Sequence, residues 1–375
     1  MINYHFDKEE RIPSPALVYY KDHIIENTKK AIAIAGDAAR MWPHVKTHKM
    51  AELIAMQVSM GIKRFKCATV SEIRMTAKAG AEHIIWAYPI VGPNVELFLK
   101  LMDEFPKCNL YALADDMAAF EKFNSAAEKA GKVAKVLLDV NMGMNRTGMP
   151  IESIEAFYEA AKNMKGLKLF GLHCYDGHIH ESDLAERKSH AEVSSEKVMA
   201  VKAKLEAKGY ELPIMVMGGT PTFPCHAESE GVFLSPGTIF VSDHGYCKNY
   251  PDMEVVPAAA VLTRVLSHPG EGLFTLDTGT KAISADANPR GVIAELEGKC
   301  EAVMSSEEHW VFKMKPEFME LLPEVGTLLH AIPTHICPTT AMYDAVYVVS
   351  EGKLCDIWKV AGRERIAATA LEELL

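Results

Sequence analysis

The 375-residue chain lacks most of the features that would send it to a membrane, a nucleic acid or an oxidising compartment. No uninterrupted apolar stretch reaches the ~20 residues a membrane-spanning helix needs. The opening Met1-Ile2-Asn3-Tyr4-His5-Phe6-Asp7 has no basic segment followed by an apolar run, so no signal peptide is expected. Positive charge is in deficit: 40 Lys and Arg stand against 50 Asp and Glu, a net charge of −10. That balance argues against nucleic acid as the main partner. The eight cysteines are scattered, with no Cys-x-x-Cys pair, and read as buried reduced thiols in a cytoplasmic setting. There is no internal repeat and no low-complexity segment.

What is present is the texture of a globular α/β protein. Apolar residues make up 49% and charged residues 24%, and the length exceeds what one hydrophobic core usually serves. Ala16 to Tyr20 reads as a strand, followed by a helix that Asp22 could cap. A further strand is expected near Trp42 to Val45. Short apolar runs then alternate with helical patterns, at 65–68, 84–87, 110–113, 136–140, 169–172, 214–217 and 232–234. Counted from the Trp42 strand, these make about eight strand–helix units, the number in a (β/α)8 barrel. After about Asp243, strand-like runs at 258–266, 273–276, 291–293, 310–312 and 347–349 sit between turns without long helices. The expected organisation is a barrel over 14–243 and a mainly antiparallel β domain over 244–375, joined by residues 1–13.

Barrel enzymes place their chemistry at the C-terminal ends of the strands, and the unusual motifs fall there. Lys46 follows the first strand. A lone lysine is usually a solvated surface group, but one held at a strand end can be desolvated and act as a Schiff-base nucleophile. Gly218-Gly219-Thr220 and Pro236-Gly237-Thr238 follow the seventh and eighth strands, where barrels bind phosphate; a plain tight turn is the competing reading of each. Arg146, in Gly143-Met144-Asn145-Arg146-Thr147-Gly148, reads as a structural ion pair with Asp139 or Asp176 or as a fixed cation at a ligand. His178 reads equally as a core residue or a proton carrier. His335-Ile336-Cys337, if on a strand, puts imidazole and thiol on one face, a donor pair suited to Zn²⁺. Asp277 and Lys281 are expected to form a local ion pair.

Pro43-His44-Val45-Lys46-Thr47-His48-Lys49 resembles the cofactor-lysine motif of the D-threonine aldolase and D-serine dehydratase family. These are pyridoxal-phosphate (PLP) enzymes with an alanine-racemase-like fold. The resemblance runs through most of the chain and implies roles for the motifs above. Lys46 would carry PLP, with His44 and Tyr175 beside it. Gly218, Gly219, Thr220, Pro236, Gly237 and Thr238 would surround its phosphate, and Arg146 would face its phenolic oxygen. His335 and Cys337 would bind a divalent metal, Zn²⁺ first, with Mn²⁺ or Mg²⁺ as alternatives. Lys46, Tyr175 and His178 are the implied catalytic residues, and Glu308 and His309 possible supporting groups. The family often has arginine where this chain has Trp42 and Ser235, and tyrosine where it has Ile239, so contacts from those positions do not carry over.

The implied activity is a PLP- and metal-dependent lyase acting on a D-3-hydroxy amino acid, as aldolase or dehydratase. Cys337 leans toward dehydratase, because aldolase-like members tend to have aspartate there. The alternatives are an amino-acid racemase of the same fold and a non-catalytic PLP-binding protein. A homodimer is expected from the fold alone.

Overall fold

The computed structural model describes residues 2–365, in two compact units. One, the barrel unit, comprises residues 32–46, 50–237 and 361–365; the other, the β unit, comprises 2–31, 47–49 and 238–360.

In chain order, strand β1 (Ala16–Tyr20) and helix α1 (Lys21–Ala35) come first, then α2 (Ala51–Ser59). The barrel unit continues with β2 (Arg64–Cys67), α3 (Val70–Lys78), β3 (His83–Pro89), α4 (Asn94–Glu104), β4 (Asn109–Ala114) and α5 (Met117–Lys129). After these come β5 (Ala134–Asp139), α6 (Ile154–Ala161), β6 (Leu167–Cys174), α7 (Leu184–Ala207), β7 (Ile214–Met217) and β8 (Phe233–Leu234). Strands β2 to β8 form one parallel sheet in sequence order. All seven apolar runs expected after Trp42 are therefore strands of this sheet.

The expected strand at Trp42 to Val45 is different. Met41 makes a parallel bridge to Leu234 of β8, and His44 makes one to Lys66 of β2. Between them, Trp42 N–H donates to Leu234 (2.7 Å) and Lys66 N–H donates to Pro43 (2.7 Å). This segment closes the sheet at the eighth position with single bridges. Pro43 has no N–H to give to a ladder, and a 3-10 turn at Val45–Thr47 follows at once. Trp42 is fully buried and packs inside the barrel with Ile85, Tyr111, Leu137 and Val216, its indole donating to Phe65 O at 2.8 Å. An arginine there would be a buried unpaired charge, so tryptophan makes this position part of the core.

The helices begin where the sequence offers caps. Thr69 Oγ1 accepts from Glu72 N–H at 3.2 Å, Asp116 from Ala119 N–H at 2.8 Å, and Asp183 from Ala185 and Glu186 N–H at 2.9 Å. Asp22 does not cap α1: it lies in the first turn and instead accepts from Ser350 Oγ and Glu351 N–H, both at 2.7 Å.

The β unit adds α8 (His244–Asn249), β9 (Ala259–Ser267), β10 (Leu273–Leu276), β11 (Gly291–Ile293), β12 (Cys300–Ser305), β13 (Trp310–Met314), β14 (Leu328–Pro333), α9 (Ile336–Ala341), β15 (Ala345–Ser350) and β16 (Lys353–Lys359). Its sheet runs β12-β13-β10-β9-β1-β15-β16, with β14 on β9 and β11 on β14. All these pairs are antiparallel except β1 with β15. The sequence reading placed Ala16–Tyr20 within 14–243. The structure makes it a central strand of the β-unit sheet, buried at all five residues, which is why it shows no polar alternation. The architecture is an α/β barrel with a mainly antiparallel β unit.

Candidate active site

Lys46 sits on the 3-10 turn that ends the closing segment of the barrel, and it is exposed. Two contacts hold that turn within the barrel unit. Lys46 N–H donates to His44 Nδ1 at 3.3 Å, and His44 N–H donates to Pro236 O at 2.8 Å. Thus His44 joins the lysine turn to the Pro236-Gly237 loop.

The Gly-Gly loop after β7 is built by close approach. Gly218 has φ +82°, a conformation that favours glycine. A Cβ on Gly219 would lie 2.9 Å from Cε2 of the Tyr175 ring. Buried Asp176 accepts from Thr222 Oγ1 and pairs with His226 Nε2 at 2.6 Å, while Thr222 Oγ1 accepts from Gly219 N–H at 2.9 Å. Gly237 N–H donates to Thr220 Oγ1 at 2.9 Å, which ties the two loops together. These two amide groups, expected to face a phosphate, therefore donate within the loops. Ser235, set aside in the sequence reading, is the addition: its hydroxyl is buried and has no hydrogen-bond partner among the described residues. A buried orphan hydroxyl beside glycine-built loops fits an anionic oxygen.

Tyr175 lies half-buried between two cations. Arg146 Cζ stands 5.2 Å and Lys66 Nζ 5.4 Å from its ring centroid. Arg146 is exposed and turned to this ring, while Asp139 and Asp176, its expected partners, hold histidines. His178 is half-buried, its Nδ1 has no hydrogen-bond partner among the described residues, and burial lowers its proton affinity.

The sequence reading missed one group at these strand ends. Lys66 of β2 is 2% exposed, and its Nζ lies 2.9 Å from His173 Nε2. His173 Nδ1 lies 2.7 Å from Asp139 Oδ1. Burial, then the charge of Lys46, lowers the Lys66 pKa to about 7. Burial, then Lys66, lowers that of His173. Burial opposes ionisation of Asp139, but the hydrogen bond and charge of His173, with Thr147 and Lys66, together outweigh it and hold the carboxyl below its ordinary value. The signal in the sequence was a lysine inside the apolar run Phe65-Lys66-Cys67-Ala68.

In the β unit, His335 and Cys337 converge, but not on a strand. Strand β14 ends at Pro333; His335 is the extended residue before α9, and Cys337 lies in that helix's first turn. The pair meets because His335 is the residue at the N-cap position and Cys337 follows two residues later in the first turn. His335 Nδ1 contacts Asp286 Oδ2 at 2.5 Å. The hydrogen bond with the Cys337 sulfur raises the His335 pKa to about 9. Burial pushes the Cys337 thiol up, but His335, Thr238 and Thr47 together outweigh it and favour the thiolate. Thr47 Oγ1 (3.2 Å) and Thr238 Oγ1 (3.4 Å) also reach that sulfur. Asp243 Oδ2 accepts from Ile336 N–H at 3.0 Å, fixing the start of α9. An imidazole oriented by a carboxylate beside a thiolate is a donor set that fits a borderline divalent cation.

Other groups do not join these sites. Asp277 is hydrogen-bonded to Ser14, Thr263 and Arg264 N–H, while Lys281 pairs with Glu307 (2.7 Å) and Glu308 (3.1 Å) on the surface, in place of the expected Asp277–Lys281 pair. Glu308 and His309 are exposed. His5, Glu9 and His330 gather their donor atoms within 4.8 Å of one another, but the contacts are those of an ion-pair cluster: His5–Glu9 2.7 Å and His330–Glu295 2.6 Å. A cavity of about 740 Å³ in the β unit, lined by Tyr4, His244, Cys247 and Val292 among others, contains none of the expected site residues.

A family model described as alanine racemase, N-terminal domain, matches residues 20–244, and a serine dehydratase domain model matches residues 258–349. The chain is 27% identical to D-threonine aldolase from Arthrobacter sp over 95% of its own length and 94% of that protein. It is 22% identical to D-threo-3-hydroxyaspartate dehydratase from Delftia sp. (93% and 97% covered), of which a cysteine variant has been described in a metal-free form. Among solved structures, D-threonine aldolase from Filomicrobium marinum superposes with a TM-score of 0.87 at 25% identity, covering 96% of this chain and 97% of that one.

Proposed function

The chain belongs to the alanine racemase N-terminal domain family, and from that premise we propose that it is a PLP- and divalent-metal-dependent lyase of D-3-hydroxy amino acids. Lys46 would carry PLP. His44, Tyr175 and Arg146 would border the cofactor, and Gly218, Gly219, Thr220, Ser235, Pro236, Gly237 and Thr238 its phosphate. When bound, PLP supplies an electron sink for charge developing at the substrate Cα. His335 and Cys337 would hold the metal, whose contribution is to offset negative charge on the 3-hydroxyl oxygen.

This chain's own groups do the proton work. Lys46 Nζ, at the exposed end of its turn, is the base for the Cα proton. His178 is the second proton-carrying group. Arg146, over the Tyr175 ring, holds fixed positive charge at the cofactor's edge. Asp286 orients the His335 imidazole through Nδ1, leaving the other nitrogen for the metal.

The observation that carries the reading is the His335–Cys337 pair with its orienting Asp286. Racemisation leaves the 3-position untouched and has no use for such a pair. The Cys337 donor favours elimination of the hydroxyl, dehydratase chemistry. The greater identity to D-threonine aldolase favours a second reaction, cleavage between Cα and Cβ. The test is incubation with D-serine and D-threonine, with and without a chelator. Pyruvate or 2-oxobutanoate marks elimination; glycine with acetaldehyde marks cleavage. Racemised substrate without either would refute the lyase reading.

The finer parts of the proposal are zinc as the metal, on the thiol donor; a homodimer, on the fold; and the cytoplasm, on eight cysteines of which none forms a disulfide among the described residues. Among the described residues no helix is long and apolar enough to cross a membrane.

A further inference from the structure

Lys46–Thr47 and Gly237–Thr238 are two of the peptide bonds at which the chain passes between its units. Thr47 ends the 3-10 turn that carries Lys46, and Thr238 begins the 3-10 turn that follows Gly237. Both threonines are buried, and both bring a hydroxyl to the same atom: Cys337 Sγ lies 3.2 Å from Thr47 Oγ1 and 3.4 Å from Thr238 Oγ1. We propose that Thr47 and Thr238 are positioning residues that couple cofactor binding to metal binding. PLP held at Lys46 and at the Gly237 loop fixes the two threonines, and their hydroxyls hold the Cys337 sulfur in place for the metal. Each group then binds more tightly in the presence of the other. This rests on Lys46 being the cofactor lysine and Cys337 a metal ligand.

A metal-binding sulfur is a thiolate and has no proton to give, so both hydroxyls must be donors. Hydrogen bonds to an ionised acceptor are stronger than neutral ones, but they weaken steeply when misdirected. Their direction here is set by two short turns, and a single 3-10 turn has little stability of its own. The hydrogen bond inside the lysine turn, from Lys46 N–H to His44 Nδ1, is long at 3.3 Å. A cofactor attached to the Lys46 side chain restrains that turn one residue from Thr47. Thr238 is held more firmly, since its carbonyl accepts from Val241 N–H at 3.2 Å and from Ser242 N–H at 2.6 Å. Its hydroxyl has one proton, which goes to the sulfur, so Thr238 would border the phosphate through its main chain. Thr47 therefore carries the larger share of the coupling. Ordering a segment once on behalf of two ligands is enough to make their binding cooperative. The coupling is reciprocal: the factor by which PLP tightens the metal is the factor by which the metal tightens PLP. A threonine that only satisfied a buried cysteine would link neither affinity to the other.

The experiment titrates Zn²⁺ calorimetrically into the full-length chain stripped of metal, once loaded with PLP and dialysed and once freed of PLP. PLP is then titrated by its visible absorbance with and without Zn²⁺. In the wild type each should bind about tenfold more tightly when the other is present, within the usual range for coupled sites. In Thr47→Val both ratios should fall together to less than about threefold, and Thr47→Ser, which keeps the hydroxyl, should restore them. A merely structural role would lower the thermal stability of Thr47→Val and leave the ratios in place, which would overturn the inference. Equal affinities in the wild type would overturn it without any variant. Metal per chain in Cys337→Ala and borohydride mapping of the lysine separate this from the reading beneath it. Uncoupled affinities with metal lost in Cys337→Ala and label on Lys46 would overturn the coupling alone. Metal retained in Cys337→Ala, or label on another lysine, would overturn the site assignments themselves.

Discussion

Lys46 N–H donates to the Nδ1 of His44, two residues earlier, at 3.3 Å, and His44 N–H donates in turn to Pro236 O at 2.8 Å. The lysine turn is therefore seated on the loop after β8. Lys46→Ala should abolish the visible absorbance of bound PLP and lower turnover by roughly 10³-fold or more, since no other group can replace a covalent anchor. His44→Ala should keep the absorbance but weaken cofactor retention, because the turn loses its internal acceptor. Absorbance titrations on both variants measure this; a Lys46→Ala protein that stays yellow after dialysis would show the assignment to be wrong.

Gly219 tests the phosphate loops. A Cβ there would stand 2.9 Å from Tyr175 Cε2, and the ring is flanked by Arg146 and Lys66. Gly219→Val must displace the ring or the loop. The dissociation constant for PLP should rise by at least about tenfold, about 1.4 kcal/mol. Equilibrium dialysis with unchanged affinity would mean that this loop does not border the cofactor.

Much of this was legible in the chain. The seven parallel strands announced themselves as continuous apolar runs, because a sheet covered on both faces shows no polar alternation. The motif positions followed from the barrel count. Other features depend on contacts between residues distant in sequence, and local pattern says nothing about those. Ala16–Tyr20 reads as a strand, but only its pairing with β9 and β15 assigns it to the β unit. Strand β16 has six exposed residues out of seven and offers no apolar stripe to find. His335 and Cys337 do come together, but not on a strand, because Pro333 ends the strand and Asp243 starts a helix in its place. Lys66 looked like one more polar residue until His173 and Asp139 closed around it.

The N-terminal ion cluster makes a prediction about pH. Burial opposes charge on Glu9, yet its hydrogen bonds to His330 and His5 hold its pKa at about 2, below the ordinary 4.5; the same contacts raise that of His330. A depressed carboxyl stabilises the fold above its unfolded value and loses that contribution as pH falls through about 2. A raised histidine stabilises below 6.5 and loses its contribution as pH rises through its folded value. Glu9→Gln should therefore cost most between about pH 4.5 and 6.5, on the order of 2 kcal/mol. Thermal midpoints of the two proteins should converge toward pH 2 and again at alkaline pH; a constant gap from pH 3 to 9 would refute the linkage.

The metal pair carries the most specific prediction. Thr47, the residue after Lys46, places its hydroxyl 3.2 Å from Cys337 Sγ, and Thr238, the residue after Gly237, places its own at 3.4 Å. His335 adds a hydrogen bond, and the three together favour the thiolate against the cost of burying it. A thiolate so prepared binds a borderline cation, and Asp286 holds the imidazole ready through Nδ1. Cys337→Ala should remove the bound metal, measured as metal per chain, and abolish elimination from D-serine, while the PLP absorbance stays because other residues hold the cofactor. Asp286→Asn should leave both ligands in place and weaken metal affinity by about 10- to 100-fold, the usual effect of removing a carboxylate that orients a ligating histidine. Full lyase activity in metal-free protein would reduce Cys337 to a buried thiol that hydrogen-bonds two threonines.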